Sequence, residues 1–232
     1  MTLLGQLRED NPDKVHVVGV SSVPSRGIRK GQIVNIEDAV TAITSSVEAA
    51  ERMAGFNLTS AYISVDGAHI GSQNSQGVVA VSEPHGEINA DDVKRVLDAA
   101  RAVSLPAAIE IIHVLPRSFT VDGQEGIKDP IGMTGVRLEA GTHIVTGSTT
   151  AIKNLQKCIS DVGCDISELV FSGLASSESV LTDTERELGV VLVDIGSGTT
   201  DIAVFVEGSL SFSAVLPIGA KNVTNDLAIG LR

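Results

Sequence analysis

One stretch of this sequence combines the residue types that bind phosphate. In VVLVDIGSGTTDIAVF, an acid, two glycines and two threonines interrupt two apolar runs. Gly196 and Gly198 permit turns and close approaches that a side chain would block, so the backbone amides between them can point at one anion. Thr199 and Thr200 add hydroxyl donors. Because Asp194 would repel a bare phosphate, the pattern predicts a magnesium nucleotide as the ligand.

The same turn also allows a simpler interpretation. It does not match the Walker phosphate-binding loop, because no Gly-Lys-Ser/Thr follows and the turn leads into a strand rather than a helix. A tight hairpin whose glycines only make the bend would have the same spacing. Thr200 and Asp201 modestly favour a ligand, but the residues alone leave both interpretations open.

The runs on either side of the turn, VVLV and IAVFV, predict two buried strands, because they are apolar at every position, as expected for strands covered on both faces. Elsewhere helical and extended segments alternate, which predicts an α/β or α+β architecture. The best-marked helix lies in NIEDAVTAITSSVEAAERMAG, with Asn35 as its cap and Gly55 at its end. Its apolar face, expected to pack on a sheet, is Ile36, Ala39, Val40, Ile43, Val47, Ala50 and Met53.

Three further helices and five strands follow from the same patterns. The helices are predicted in INADDVKRVLDAARAV, TTAIKNLQKCISDVG and LASSESVLTD. The strands are predicted in HVVGVSSVPS, SAYISVDG, GVVAVS, AIEIIHVLPRSFTVDG and GVRLEAGTHIVTG. The last three strands and the helix between them form a strand-helix-strand-strand unit.

Composition narrows the classes of function. The 232 residues carry a formal net charge of −12 and no basic stripe, which disfavours nucleic acid as a partner and attraction to anionic lipid. Cys158 and Cys164 are too few for a disulfide framework, and the five histidines are too scattered to suggest zinc. With neither a secretion signal nor a membrane span, the chain is expected to be cytoplasmic.

VVLVDIGSGTTDIAVF resembles the second phosphate loop of the actin-like ATPase superfamily, and other segments resemble one family within it, the FtsA cell-division proteins. Those segments, in FtsA order, are GIRKGQIVNIEDAVTAI, EAAERMAG, GEINADDVKRVLDAA, VDGQEGIKDPIGMTGVRLEA and LPIGAKNVTNDLAIGL. The most specific run extends from Asp129 to Glu139. On its residues alone, that run predicts only a glycine-rich loop leading into a strand.

The resemblance implies an actin-like (ribonuclease H-like) core with an inserted strand-helix-strand-strand subdomain. Residues 1–69 and 150–187 are expected to form the first core subdomain. Residues 70–149 would be the inserted interaction subdomain, and residues 188–232 would start the second core subdomain, which carries the second phosphate loop.

The resemblance also implies a scaffold of bacterial division more than a metabolic enzyme. Such a scaffold binds ATP and Mg²⁺, forms filaments, anchors FtsZ to the cytoplasmic membrane and recruits late division proteins such as FtsN. Its expected location is the cytoplasmic face of the inner membrane at the division site. The expected cofactor-binding residues are Asp194, Gly196, Ser197, Gly198, Thr199 and Thr200, with Asp194 also at the metal and no catalytic residue.

Some family features have no counterpart in the sequence: the first phosphate loop, the adenosine-binding glycines and the C-terminal amphipathic helix that holds the membrane. This predicts a piece truncated at both ends. The stretch from Ser172 to Ser177 offers no carboxylate to orient an attacking water, so at most weak ATPase activity is expected in a complete protein and none in this chain alone. Gly219-Ala220 replaces a double glycine. Two alternatives remain, a small-molecule kinase of the same superfamily and a pilus-assembly-type binding module without ATPase activity.

Overall fold

The computed structural model describes residues 1–8, 11–82 and 86–231. The helices are α1 (Ile36–Ala54), α2 (Ala90–Arg101), α3 (Thr149–Asp161), α4 (Ser172–Val180), α5 (Asp183–Leu188) and α6 (Ala220–Gly230). The strands are β1 (Thr2–Arg8), β2 (Asn11–Ser21), β3 (Ile28–Arg29), β4 (Gln32–Ile33), β5 (Ser60–Val65), β6 (Gly71–Ala80), β7 (Ile109–Val121), β8 (Gln124–Ile127), β9 (Arg137–Ser148), β10 (Asp165–Phe171), β11 (Val190–Ile195), β12 (Thr200–Val206) and β13 (Ser209–Leu216). The chain divides into two compact units, residues 1–63 with 150–169, and residues 64–149 with 170–232.

In the first unit, α1 packs on the antiparallel pair β1–β2. The side chain of Asn35 accepts a hydrogen bond from Asp38 N, and Gly55, with a φ of 82°, ends the helix as predicted. Ala39 and Ala50 on the predicted apolar face are fully buried. Met53 at the end of the helix is 63% exposed, although its sulfur accepts a hydrogen bond from Val20 N of β2 at 3.4 Å.

In the second unit, a four-stranded antiparallel sheet has the order β6-β9-β7-β8 and packs against α2. Its core cluster consists of buried side chains from the helix, the sheet and the segment just before the helix, Ile88, Val96, Phe119, Val121, Ile127, Leu138 and Ala140. The predicted strand-helix-strand-strand unit is present, with one strand more than expected. The extra strand, β8, follows a turn in which Asp122 and Gly123 have φ of 49° and 88°. Its sequence, QEGI, has one apolar residue and therefore gave no periodic signal.

The cap of helix α2 includes a charged and fully buried side chain, that of Asp92 in the first turn. Asp92 accepts hydrogen bonds from Asn89 N and Ser82 N, each at 3.2 Å, and from Ser82 Oγ, and it forms an ion pair with Arg95. In return, the Asn89 side chain accepts from Asp92 N at 3.0 Å. These hydrogen bonds, that from Ser82 first, lower the pKa of Asp92 to about 2 against the opposing effect of burial.

The second unit also contains a three-stranded antiparallel sheet, β11-β12-β13. One face packs on α4 and α5 through Ala203, Phe205 and Leu210. On the other face, Val191 is 59% exposed and Val193 is 51% exposed. The prediction that VVLV is covered on both sides is therefore wrong. In β11, half-buried and exposed positions alternate, as in an antiparallel sheet with one covered face.

The short helix predicted in LASSESVLTD corresponds to α4, and a second helix, α5, begins at the last residue of this stretch. Helix α4 ends at Val180, and Thr182 then caps α5 by a reciprocal pair of hydrogen bonds with Glu185. The sequence patterns also gave no prediction for β1, β13 or α6. Among the described residues, no helix is both long and apolar enough to cross a bilayer.

Candidate functional site

The turn between β11 and β12, residues 194–200, is called the glycine loop below. Asp194 and Asp201 lie opposite each other in the antiparallel register, and Ile195 pairs with Thr200. Gly196 N donates to Thr199 O at 2.9 Å and closes the turn. The structure therefore contains the tight hairpin that the spacing allowed.

The amides at the tip of the glycine loop have no internal partner. Among the described residues, no carbonyl or side chain accepts a hydrogen bond from the amides of Ser197, Gly198 or Thr199. Consecutive amides in a turn rich in glycine can form a concave donor site that holds an anion. The backbone of this loop is therefore compatible with binding a phosphate.

The side chains of the loop have partners within the protein. Thr199 Oγ1 donates to Asp66 Oδ2 at 2.8 Å, and Thr200 Oγ1 donates to Ile218 O at 2.7 Å. Asp194 Oδ2 accepts from Ser176 Oγ at 2.7 Å. The two threonine hydroxyls predicted to face phosphate are thus engaged, and either hydroxyl would have to exchange its acceptor to contact a ligand.

Helix α6 is hydrogen-bonded to the backbone of the glycine loop. Ala220 N donates to Gly196 O at 2.9 Å, and Lys221 N donates to Ser197 O at 3.0 Å. A Cβ added at Gly219 would lie 2.5 Å from Gly196 O and 2.6 Å from Ser197 C. Gly219 is therefore needed for this close backbone contact.

Two side chains near the loop have buried polar atoms without a described partner: Asp201, for which the sequence pattern indicated only that it favours a ligand, and His69, which no sequence pattern singled out. Asp201 is only 4% exposed, and its Oδ1 has no hydrogen-bond partner among the described residues. Burial first, and then the carboxylates of Asp66 and Asp194, raise the pKa of Asp201 to about 7. Both ring nitrogens of His69 also lack a described partner, and burial lowers the pKa of His69, opposed in part by Asp66.

The residues present fit a phosphate-bound cation better than a metal held by protein alone. Within the described part of the chain, no group of three or more His, Cys, Asp or Glu side chains is arranged to hold a metal ion. Mg²⁺ commonly takes one or two carboxylates and completes its coordination with nucleotide phosphates and water. Asp194 at the end of β11 can supply one such carboxylate, beside the unpaired amides.

Comparison with known structures identifies the fold. A PilM-PilN type IV pilus biogenesis complex has a chain that superposes with a TM-score of 0.67, at 13% sequence identity, over 98% of this chain and 61% of that one. At this identity the likeness concerns fold alone. It supports the predicted α/β, actin-like architecture.

Comparison of sequences identifies the family. The model of the SHS2 domain inserted in FtsA matches residues 67–146, and the model of cell division protein FtsA matches residues 191–232. Cell division protein FtsA of Pseudomonas aeruginosa is 46% identical over 100% of this chain, and that of Bacillus subtilis is 43% identical over 99%. That of Escherichia coli is 41% identical over 97%.

The chain spans about half the length of these relatives, 55% of the Pseudomonas aeruginosa protein and 52% of the Bacillus subtilis protein. Within that span the similarity is continuous, from the first segment that resembles FtsA to the glycine loop and α6. It includes the four-stranded sheet, which lies in the region that the model of the SHS2 domain inserted in FtsA matches. The chain therefore belongs to the FtsA family of cell-division proteins.

Proposed function

We propose that this chain carries the second phosphate-binding loop of an ATP-binding division scaffold. The observation that carries the proposal is the row of amides at Ser197, Gly198 and Thr199, which have no acceptor among the described residues. At the tip of a glycine-rich turn, such donors are available to a ligand oxygen. ATP with Mg²⁺ is the proposed ligand, in keeping with the family.

Each loop residue has a proposed part. Gly196 and Gly198 keep the backbone free of side chains, and the tip amides donate to phosphate oxygens. Asp194 contacts Mg²⁺, whose bound charge would offset the repulsion between that carboxylate and phosphate. Thr199 and Thr200 fix the loop through Asp66 and Ile218 until a ligand oxygen competes for their hydroxyls.

The scaffold role is proposed from the family. The relatives are named cell-division proteins, and we propose that the complete protein anchors FtsZ to the cytoplasmic face of the inner membrane, forms filaments and recruits late division proteins such as FtsN. Residues 70–149 are proposed as the inserted interaction subdomain. Residues 1–69 with 150–187, and residues 188–232, are proposed as parts of the two core subdomains.

Isothermal titration with ATP, with and without Mg²⁺, tests the loop. We expect very weak but saturable binding that Mg²⁺ strengthens, because the cation offsets the charge of Asp194. The variant Asp194→Asn retains an acceptor for Ser176 but loses the charge, and should reduce the effect of Mg²⁺ about tenfold, or about 1.4 kcal/mol. The exposed acid in Asp161→Asn is the matched control. Binding that is independent of both Mg²⁺ and Asp194 would refute the assignment.

A further inference from the structure

The carboxylate of Asp66 contacts the glycine loop from a distant part of the sequence. Asp66 directly follows β5, and its Oδ2 accepts a hydrogen bond from Thr199 Oγ1 at 2.8 Å. Thr199 is only 5% exposed, so this contact is screened less by solvent and salt than one between exposed groups. The proposed phosphate site therefore has an acid bonded to one of its own residues.

The covalent geometry of Thr199 limits the distance from Asp66 to the tip of the loop. N and Oγ1 of one threonine are at most about 4 Å apart, so Asp66 Oδ2 lies within about 7 Å of Thr199 N. A phosphate oxygen that accepts from this amide would add at most about 3 Å. The separation is comparable with the screening length of about 8 Å at physiological salt, so the two negative charges would repel each other.

The pKa of Asp201 shows the effect of Asp66 on its surroundings. Burial is the first cause that raises this pKa to about 7, and the carboxylate of Asp66 comes next, ahead of that of Asp194. Among the described residues, no Lys or Arg forms an ion pair with any of these three acids. A bound anion would therefore meet the charge of Asp66 without a protein cation to offset it.

A free nucleotide and its magnesium complex would meet this repulsion to different extents. The tip amides attract either form, but bound Mg²⁺ offsets part of the phosphate charge. We propose that Asp66 is a specificity-determining residue of the glycine loop, which makes the loop select a magnesium nucleotide over the free anion. This inference rests on the nucleotide binding proposed above. It requires no contact between Asp66 and the metal, because the selection acts through the charge of the ligand.

Amide resonances of the ¹⁵N-labelled 232-residue chain test the proposal, in titrations with ATP plus EDTA and with ATP plus excess Mg²⁺ at one ionic strength. We expect the parent chain to have a larger dissociation constant for free ATP than for magnesium ATP. Asp66→Asn keeps an oxygen acceptor for Thr199 but removes the charge. It should lower the ratio of the two dissociation constants about threefold or more, chiefly by tightening the binding of free ATP. A residue that only positions Thr199 would change both constants equally.

Matched variants separate this effect from a general change in charge. Asp98→Asn removes an exposed acid from α2 and should leave the ratio unchanged, and Asp66→Glu restores the charge and should keep the ratio of the parent. If Asp66→Asn fails to fold, Asp66→Ser provides the same loss of charge with a hydroxyl as the partner of Thr199. An unchanged ratio in the neutral variant, with the tip amides still responding to ATP, would overturn this inference alone. Tip amides that respond to neither form of ATP, in parent and neutral variant alike, would refute both this inference and the proposed function.

Discussion

The two sheets of the second unit differ in what covers them. The four-stranded sheet buries Leu138 and Ala140 completely against its helix side. The three-stranded sheet buries Ala203 on one face but leaves Val191 and Val193 more than half exposed on the other. The comparison indicates that the inserted sheet supplies packing energy within this chain, while the three-stranded sheet chiefly positions the polar loop at its end.

The largest expected effect tests this division of roles. Leu138→Ala removes a fully buried side chain from the core cluster and should destabilise the protein by about 2–5 kcal/mol. Val193→Ala, on the exposed face, should cost less than about 1 kcal/mol. Chemical denaturation measures both. Equal losses would show that the exposed face is as important for stability as the core.

The next largest effect on stability is expected at the cap of α2, the helix that packs on the inserted sheet. Asp92→Ala removes the reciprocal cap and the ion pair with Arg95, and should cost about 1–3 kcal/mol, while the exposed Asp91→Ala serves as the control. Because the folded-state pKa of Asp92 is lowered to about 2, its stabilisation is present above the unfolded pKa near 4 and is lost as pH falls towards 2. A variant with the same acid sensitivity as the parent would contradict this role.

Asp201, beside the loop, should give the free energy of unfolding the opposite dependence on pH from that of Asp92. Its folded-state pKa is raised to about 7, so the folded state retains a proton that the unfolded state releases near pH 4. Its contribution to stability is therefore complete below pH 4 and is lost as pH rises to about 7, at up to about 1.4 kcal/mol per pH unit. Denaturation from pH 4 to 8 should show this decline, and Asp201→Asn should flatten it. An unchanged slope in the variant would exclude Asp201 as the cause.

The contact between α6 and the loop should affect binding more than stability. Gly219→Ala places a Cβ against Gly196 O and Ser197 and should weaken ATP binding about tenfold by displacing the tip amides. Gly230→Ala is the matched control, because a Cβ there meets nothing within 4 Å. Calorimetric titration of both variants compares them. Equal affinities would show that the loop does not depend on this support.

Sequence patterns predicted the elements whose residues repeat with a clear period. Helix α1 followed from its apolar face and from caps at Asn35 and Gly55, which the structure confirms. Strand β8 could not be predicted in this way, because it has a single apolar residue, Ile127, and it pairs with β7 through the turn at Asp122 and Gly123.

The glycine loop was predicted from adjacent residues, whereas its surroundings depend on tertiary contacts. Asp66 is 133 residues from Thr199 in sequence, yet their side chains share a hydrogen bond. Ser176 contacts Asp194 across 18 residues. No local pattern links such pairs, so the engaged hydroxyls and the unpaired Asp201 became visible only in the structure. The choice of ligand-contact residues remains a prediction.

The three tip amides of the glycine loop are proposed to bind phosphate. Amide resonances of the uniformly ¹⁵N-labelled chain, followed during titration with magnesium ATP, test this proposal most directly. The resonances of Ser197, Gly198 and Thr199 should shift together and saturably, while those of amides in the core of the inserted sheet, such as that of Ala140, should not move. Saturable binding that leaves the three loop amides unshifted would contradict the account.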